Sequence, residues 1–120
     1  MLNNVILHNP GCSKSRQTLK LLEDMNINLK VIEYLKDTPG VEELDYICRL
    51  LGVEPQLIVR VGEKKFTELG LSLNDKRKTR KQWLQILSNN PKLIERPIVI
   101  YRNRAIVGRP PERVYDIIEV

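Results

Sequence analysis

Three apolar runs stand out along the chain: Val5-Ile6-Leu7, Pro97-Ile98-Val99-Ile100-Tyr101 and Ala105-Ile106-Val107. Runs this short and continuous predict β-strands, and the first reads as a buried one. The first is closed by Asn9-Pro10-Gly11, a turn signal. From Ser13 the apolar spacing lengthens to three and four, with Leu19, Leu22 and Met25 (or Ile27) returning on one helical face. A further strand is predicted from about Leu29 to Tyr34, so the first third of the chain reads as a parallel strand–helix–strand unit.

Thr38-Pro39 then predicts an N-cap and a first-turn proline. The helix that follows carries Val41, Leu44, Ile47, Cys48 and Leu51 on its apolar face and ends at Gly52. Residues 55–94 read as short helical pieces broken at Gly62, Gly70 and Asn90-Pro91, with Trp83, Leu84 and Leu87 supplying core. No linker composition sets this stretch apart, so residues 39–94 are expected to be a helical insertion in a single domain spanning 1–120. Arg102-Asn103-Arg104 separates the last two strands at hairpin spacing, and Gly108-Arg109-Pro110-Pro111 leads into a final helix bearing Val114, Ile117 and Ile118. The order β-α-β, helical insert, β-β-α resembles the thioredoxin and glutaredoxin arrangement, an α/β fold with a four-stranded mixed sheet.

Composition narrows the function classes. With 120 residues the chain supports one core. No window approaches about 18 uninterrupted apolar residues, so no membrane helix is expected. The start MLNNVILHNPGC lacks the basic and apolar segments of a signal peptide, and a cytoplasmic location is expected. Two cysteines are too few for a disulfide scaffold, and one histidine leaves too few soft ligands for a zinc site. No metal or bound cofactor is therefore expected. The formal charge of +5 favours anionic partners, but does not separate nucleic acid from a small oxyanion. The run Lys76-Arg77-Lys78-Thr79-Arg80-Lys81 has no interleaved aromatic residues and reads as the exposed start of the helix carrying Trp83, so a nucleic-acid partner is not expected.

Cys12 stands just after a strand and at the start of a helix, where unpaired N–H groups and the helix dipole favour an anion. A free thiol is mostly protonated at neutral pH, and a downward shift of about two units makes it mostly thiolate. Lys14, Arg16 and His8 are placed to add to that shift. Pro10-Gly11 before it and Ser13-Lys14-Ser15 after it describe an exposed loop tip, which favours a nucleophile over a buried structural cysteine. Cys48, in register with Leu44, Ile47 and Leu51, is a core residue. Ser15 stands where a dithiol motif would place its second cysteine, so oxidised Cys12 must be resolved by an external thiol or by a chain rearrangement. Arg60, Arg96 and Arg109 are candidate oxyanion ligands, because a guanidinium fork donates paired hydrogen bonds to a tetrahedral anion. Arg96 precedes Pro97, and in thioredoxin-like folds a cis-proline at that place faces the nucleophile. His8 fits either a structural hydrogen-bonding group or a thiol tuner.

These residues resemble the glutaredoxin-coupled arsenate reductase family. The similarity runs through His8-Asn9-Pro10-Gly11-Cys12-Ser13-Lys14-Ser15-Arg16, Tyr34-Leu35, Thr38-Pro39, Leu69-Gly70-Leu71, Asn90 to Val99 and Gly108 to Glu112, nearly the whole chain. It departs at Val61-Gly62, where a second basic residue is usual. The resemblance implies that Cys12 attacks arsenate to form a thiol–arsenic adduct. Glutathione, a co-substrate, would condense onto the adduct, and glutaredoxin would complete the reduction to arsenite. It further implies that Arg60, Arg96 and Arg109 bind the oxyanion and that His8 and Ser15 lower the thiol pKa. Two other functions use the same fold and thiol. One is a redox regulator of the Spx type that binds RNA polymerase, although such regulators often carry a Cys-x-x-Cys switch. The other is a glutathione-dependent thiol oxidoreductase or sensor without arsenate activity.

Overall fold

The computed structural model describes residues 2–118. Two compact units make up the chain, one from the residues up to Asp37 together with those from Arg96 onward, the other from Thr38–Glu95.

The first unit is built on a four-stranded sheet of β1 (Val5–His8), β2 (Lys30–Glu33), β3 (Ile98–Tyr101) and β4 (Arg104–Val107), ordered β2-β1-β3-β4. β1 pairs parallel to β2 and antiparallel to β3, and β3 pairs antiparallel to β4. With helix α1 (Ser13–Asp24) crossing between β1 and β2, this is the thioredoxin-like arrangement expected from the sequence. β1 is central, and all four of its side chains are buried, which explains the unbroken apolar run. On one face Ile6 and its cross-strand partner Val99 pack with Leu22 of α1, Val114 and Ile117. Leu19, Met25 and Ile27 lie half-buried around that cluster. The hairpin turn is two residues long, Arg102 and Asn103, both at positive φ (48° and 63°), which matches the twist of the flanking strands. Asn4 Oδ1 accepts the Arg102 N–H at 2.9 Å and Asn3 Oδ1 accepts the Asn103 N–H at 3.0 Å, so the chain start braces this turn. The chain after β4 forms a single 3₁₀ turn, Pro111–Val114, before the short α5 (Tyr115–Ile118).

The second unit is helical. It contains α2 (Val41–Leu51), α3 (Lys64–Glu68), α4 (Arg80–Asn89) and 3₁₀ turns at Pro55–Ile58 and Pro91–Leu93. α2 packs on α4, with Leu44, Ile47, Cys48, Trp83, Leu84 and Leu87 buried. Arg80 ties α4 to Asp45 (2.8 Å) and to Glu54. Two element starts differ from the sequence expectation. α2 begins at Val41 with Gly40 as N-cap, because the Pro39 carbonyl is engaged by the Ser88 hydroxyl at 3.0 Å and Glu43 accepts the Gly40 N–H at 3.2 Å. α4 begins at Arg80, so only the last two residues of the basic run, Arg80 and Lys81, form the helix start. Thr79 and Gln82 form a reciprocal capping box, which leaves Lys76, Arg77 and Lys78 ahead of the helix, where Arg77 and Lys78 pair with Asp75.

Leu22 lies at the centre of the first unit's cluster and is fully buried. Leu22→Ala should cost about 3 kcal/mol of unfolding free energy, through lost transfer energy and the cavity left behind. Equilibrium urea denaturation measures it.

Candidate active site

The loop after β1 is held almost entirely by its own short-range bonds. Asn9 Oδ1 accepts the Gly11 N–H at 2.9 Å, and the Asn9 carbonyl accepts the Cys12 N–H at 3.0 Å. Arg16 Nη1 donates to the Pro10 carbonyl at 2.8 Å. These bonds deliver Cys12 to the N-cap of α1 in an extended conformation, with no side-chain capping bond formed. A cap residue normally accepts from the N–H two or three places on. Here those donors belong to Lys14 and Ser15, and the group facing them is sulfur.

Cys12 is half-buried and its thiol is a free one. Burial alone would push the thiol up, but the Ser15 N–H, the Arg96 side chain and the Lys14 N–H together outweigh it. The net result is a Cys12 pKa below the ordinary thiol value. Arg109 Nη1 stands 3.8 Å from Cys12 Sγ and donates to the Arg96 carbonyl at 3.3 Å. The Arg96–Pro97 peptide is cis, as the sequence led us to expect at this place. Arg96 and Arg109, 13 positions apart, thus meet over one sulfur.

His8 and Ser15 form a buried pair, His8 Nδ1 lying 2.7 Å from Ser15 Oγ. Ser15 Oγ also accepts the Asn9 N–H at 3.0 Å. Burial pushes the His8 pKa down, Glu33 pulls it up, Arg16 lowers it and Glu23 raises it, with a net lowering. The imidazole is therefore neutral at neutral pH, and the Ser15 hydroxyl can donate its proton to it. Ser15 acts on the sulfur through its backbone N–H, and His8 bonds to the Ser15 hydroxyl. Lys14 likewise contributes its N–H, while the Arg16 guanidinium is committed to Pro10.

Arg60 belongs to the helical unit. Its N–H donates to the Leu93 carbonyl at 2.7 Å beside the Val59–Ile94 bridge, and its Nε lies 3.5 Å from Glu63 Oε1. Cys48 is fully buried in the same unit. Its thiol is pushed up to about 11 by burial, with Arg80 pulling down and Asp45 and Glu54 adding to the rise. It is a protonated core residue.

Residue-by-residue reasoning missed Asn9 and Thr18. The signal for Thr18 was present, since Ser15, Thr18 and Leu22 share one helical stripe and all three are buried. Reading only apolar residues into that stripe hid its polar end. Among the described residues, no helix is long and apolar enough to cross a membrane.

Two outcomes follow from the opposed thiol environments. Iodoacetamide at neutral pH should label Cys12 in the folded protein and Cys48 only after unfolding, and peptide mass spectrometry would show it. Folding lowers the Cys12 pKa, so the thiolate stabilises the fold fully above the unfolded-chain value of about 8.5 and loses that contribution as pH falls through the folded value. The unfolding free energy of the wild type relative to Cys12→Ser should therefore rise with pH across that window. Cys48, with its opposite shift, is common to both proteins and cancels.

Residues 7–117 match the ArsC family. The arsenate reductase of Haemophilus influenzae is 38% identical over 115 residues, covering 95% of this chain and 97% of that one. The arsenate reductase of Rhizobium meliloti is 34% identical, covering 94% and 79%. The solved arsenate reductase from Vibrio cholerae superposes with a TM-score of 0.88 at 41% identity, covering 98% of this chain and 100% of that one. With family match, sequence relatives and solved fold in agreement over almost its full length, the chain belongs to the ArsC family.

Proposed function

We propose that this protein is an arsenate reductase that uses Cys12 as nucleophile, glutathione as co-substrate and glutaredoxin as the final reductant. The observation that carries the reading is the pairing of an acidified thiol with the Arg109 guanidinium 3.8 Å away. A thiolate supplies the attacking electron pair, and a guanidinium holds the charge of a tetrahedral oxyanion while the attack occurs.

In this scheme the Cys12 thiolate attacks pentavalent arsenic, forming an S–As bond as one arsenate oxygen leaves as water. Glutathione condenses onto the adduct with loss of a second water. A glutaredoxin thiolate then attacks the glutathione sulfur. The glutathione S–As pair of electrons passes to arsenic, which becomes trivalent, and a glutaredoxin–glutathione mixed disulfide departs. Water releases arsenite and restores the Cys12 thiol. Two thiols give up two electrons and one disulfide forms, which balances the reduction of arsenate to arsenite with one net water. Arg96 and Arg109 bind the anion, and Arg60 is assigned to the same oxyanion from the family resemblance. His8 and Ser15 support the thiolate by fixing the N–H groups that face it. A reducing thiol pool is required, so we assign the activity to the cytoplasm.

The position that would carry the second cysteine of a dithiol switch is Ser15, fully buried and bonded to both His8 and Asn9. That favours an external reductant over an internal disulfide switch. Purified protein with arsenate, glutathione, glutaredoxin and a coupled NADPH-consuming reductase should release arsenite, and Cys12→Ser should abolish turnover. Wild-type activity no higher than that of Cys12→Ser would refute the reductase assignment while leaving the acidic thiol in place.

A further inference from the structure

Gly108 is the most tightly enclosed glycine of the first unit. A Cβ built there would stand 2.8 Å from Thr18 Oγ1 and 3.0 Å from both Thr18 Cγ2 and Pro97 Cγ. Real Cβ atoms do not approach other atoms so closely, so the β4 exit runs directly against α1 only because position 108 has no side chain. The Gly108 N–H donates to the Pro97 carbonyl at 2.9 Å, and the next N–H, that of Arg109, turns back to Val107 O at 2.9 Å. Three segments that build the site therefore meet at one point: the first turns of α1, the Arg96–Pro97 corner, and the backbone one residue before Arg109.

Thr18 is the α1 side of that contact. It is fully buried, and its hydroxyl has two carbonyls in reach, Lys14 O at 2.8 Å and Gly108 O at 3.3 Å. One proton serves both, with the shorter bond to Lys14. Lys14 is also one of the residues whose N–H faces the Cys12 sulfur. Thr18 thus touches the turn that presents the nucleophile and the strand end that presents Arg109.

We propose that Thr18 and Gly108 are positioning residues, whose close packing sets the Arg109 guanidinium at the distance from Cys12 needed to grip the oxyanion. The inference rests on the proposed oxyanion-binding role of Arg109. It goes beyond that role by locating the parts of the chain that fix the guanidinium in place. Misplacement of a binding group by about 1 Å is enough to cost up to about a hundredfold in function. Thr18 and Gly108 act on the anion through Arg109. They have no direct part in the acidity of Cys12, which comes from the first-turn N–H groups and Arg96.

The test is a double-mutant cycle read by two measurements on Cys12. One is the arsenate concentration that half-protects the thiol from alkylation. The other is the pH midpoint of alkylation without arsenate. Gly108→Ala should raise the half-protecting concentration about tenfold while the pH midpoint stays near that of the wild type. Thr18→Ala removes two of the three contacts that a new methyl would meet. The double variant should therefore recover to within about threefold of the wild type, a strongly non-additive result. If Gly108→Ala fails to fold by circular dichroism, Thr18→Val and Thr18→Ser decide. Valine sets a methyl against the Gly108 carbonyl and should weaken protection about threefold, while serine should match the wild type. Unchanged protection in Gly108→Ala, or in Thr18→Val where that is the deciding variant, overturns the inference. So do additive effects, or a pH midpoint that moves along with protection. Arg109→Ala, measured alongside, separates the two levels of argument. If it weakens protection and the position 18 and 108 variants do not, only the positioning role falls. If Arg109→Ala itself changes nothing, the oxyanion role falls and takes the positioning role with it.

Discussion

A helix start needs acceptors for its first N–H groups, and α1 offers them a sulfur. Cys12 occupies the N-cap, where serine, threonine, aspartate or asparagine would supply an oxygen. A neutral thiol accepts hydrogen bonds weakly, whereas a thiolate accepts them well. Ionising the sulfur therefore completes the helix cap and yields a thiolate in one step. Burial opposes this, and it is the largest single influence on the thiol. Several smaller ones overcome it together, namely two backbone N–H groups and the Arg96 side chain. The balance depends on the position of these donors, and much of the surrounding sequence fixes the four-residue loop that sets it. Asn9, Arg16, Ser15 and His8 each contribute a bond of 2.7 to 3.0 Å to that loop or its flanks.

The fold was largely legible because its apolar runs are unambiguous. β1, β3 and β4 have no competing helical spacing, and the parallel β1–β2 connection follows from the intervening helical period. Element starts were less legible. Thr38-Pro39 and the basic run at 76–81 both carry helix-start residues. At the first, the Ser88 bond to the Pro39 carbonyl is invisible in a linear pattern; at the second, the Thr79–Gln82 box is a Thr-x-x-Gln signature that the sequence does carry, and it sets the start within the run. The place of Cys12 at a helix start was legible from local sequence alone, since the strand, the turn, the cysteine and the helix are contiguous. Its acidity was only partly so. Lys14 and Arg16 drew attention as charges, yet Lys14 contributes its N–H and Arg16 braces a carbonyl. The convergence of Arg96 and Arg109 on Cys12 spans almost the whole chain. It depended on knowing how the strands are ordered, and the sequence suggested that order only by resemblance.

In the proposed mechanism the positive groups around Cys12 do two different jobs. Arg96 and the N–H groups of α1 set the protonation of the sulfur. Arg109, at 3.8 Å, is at the outer limit of a hydrogen bond to sulfur, and its guanidinium is also steered by the Arg96 carbonyl. A cation closer to the thiolate would lower its pKa further, but would also weaken it as a nucleophile, because nucleophilicity falls with basicity. A guanidinium held slightly back leaves the sulfur reactive. Arginine suits this better than lysine, since its planar fork can face a tetrahedral oxyanion and a backbone carbonyl at once. The arrangement calls for a rigid support behind Arg109, because a long side chain on a loose loop would drift onto the thiolate that attracts it. The tight approach of the β4 exit to α1 is where the first unit supplies that rigidity.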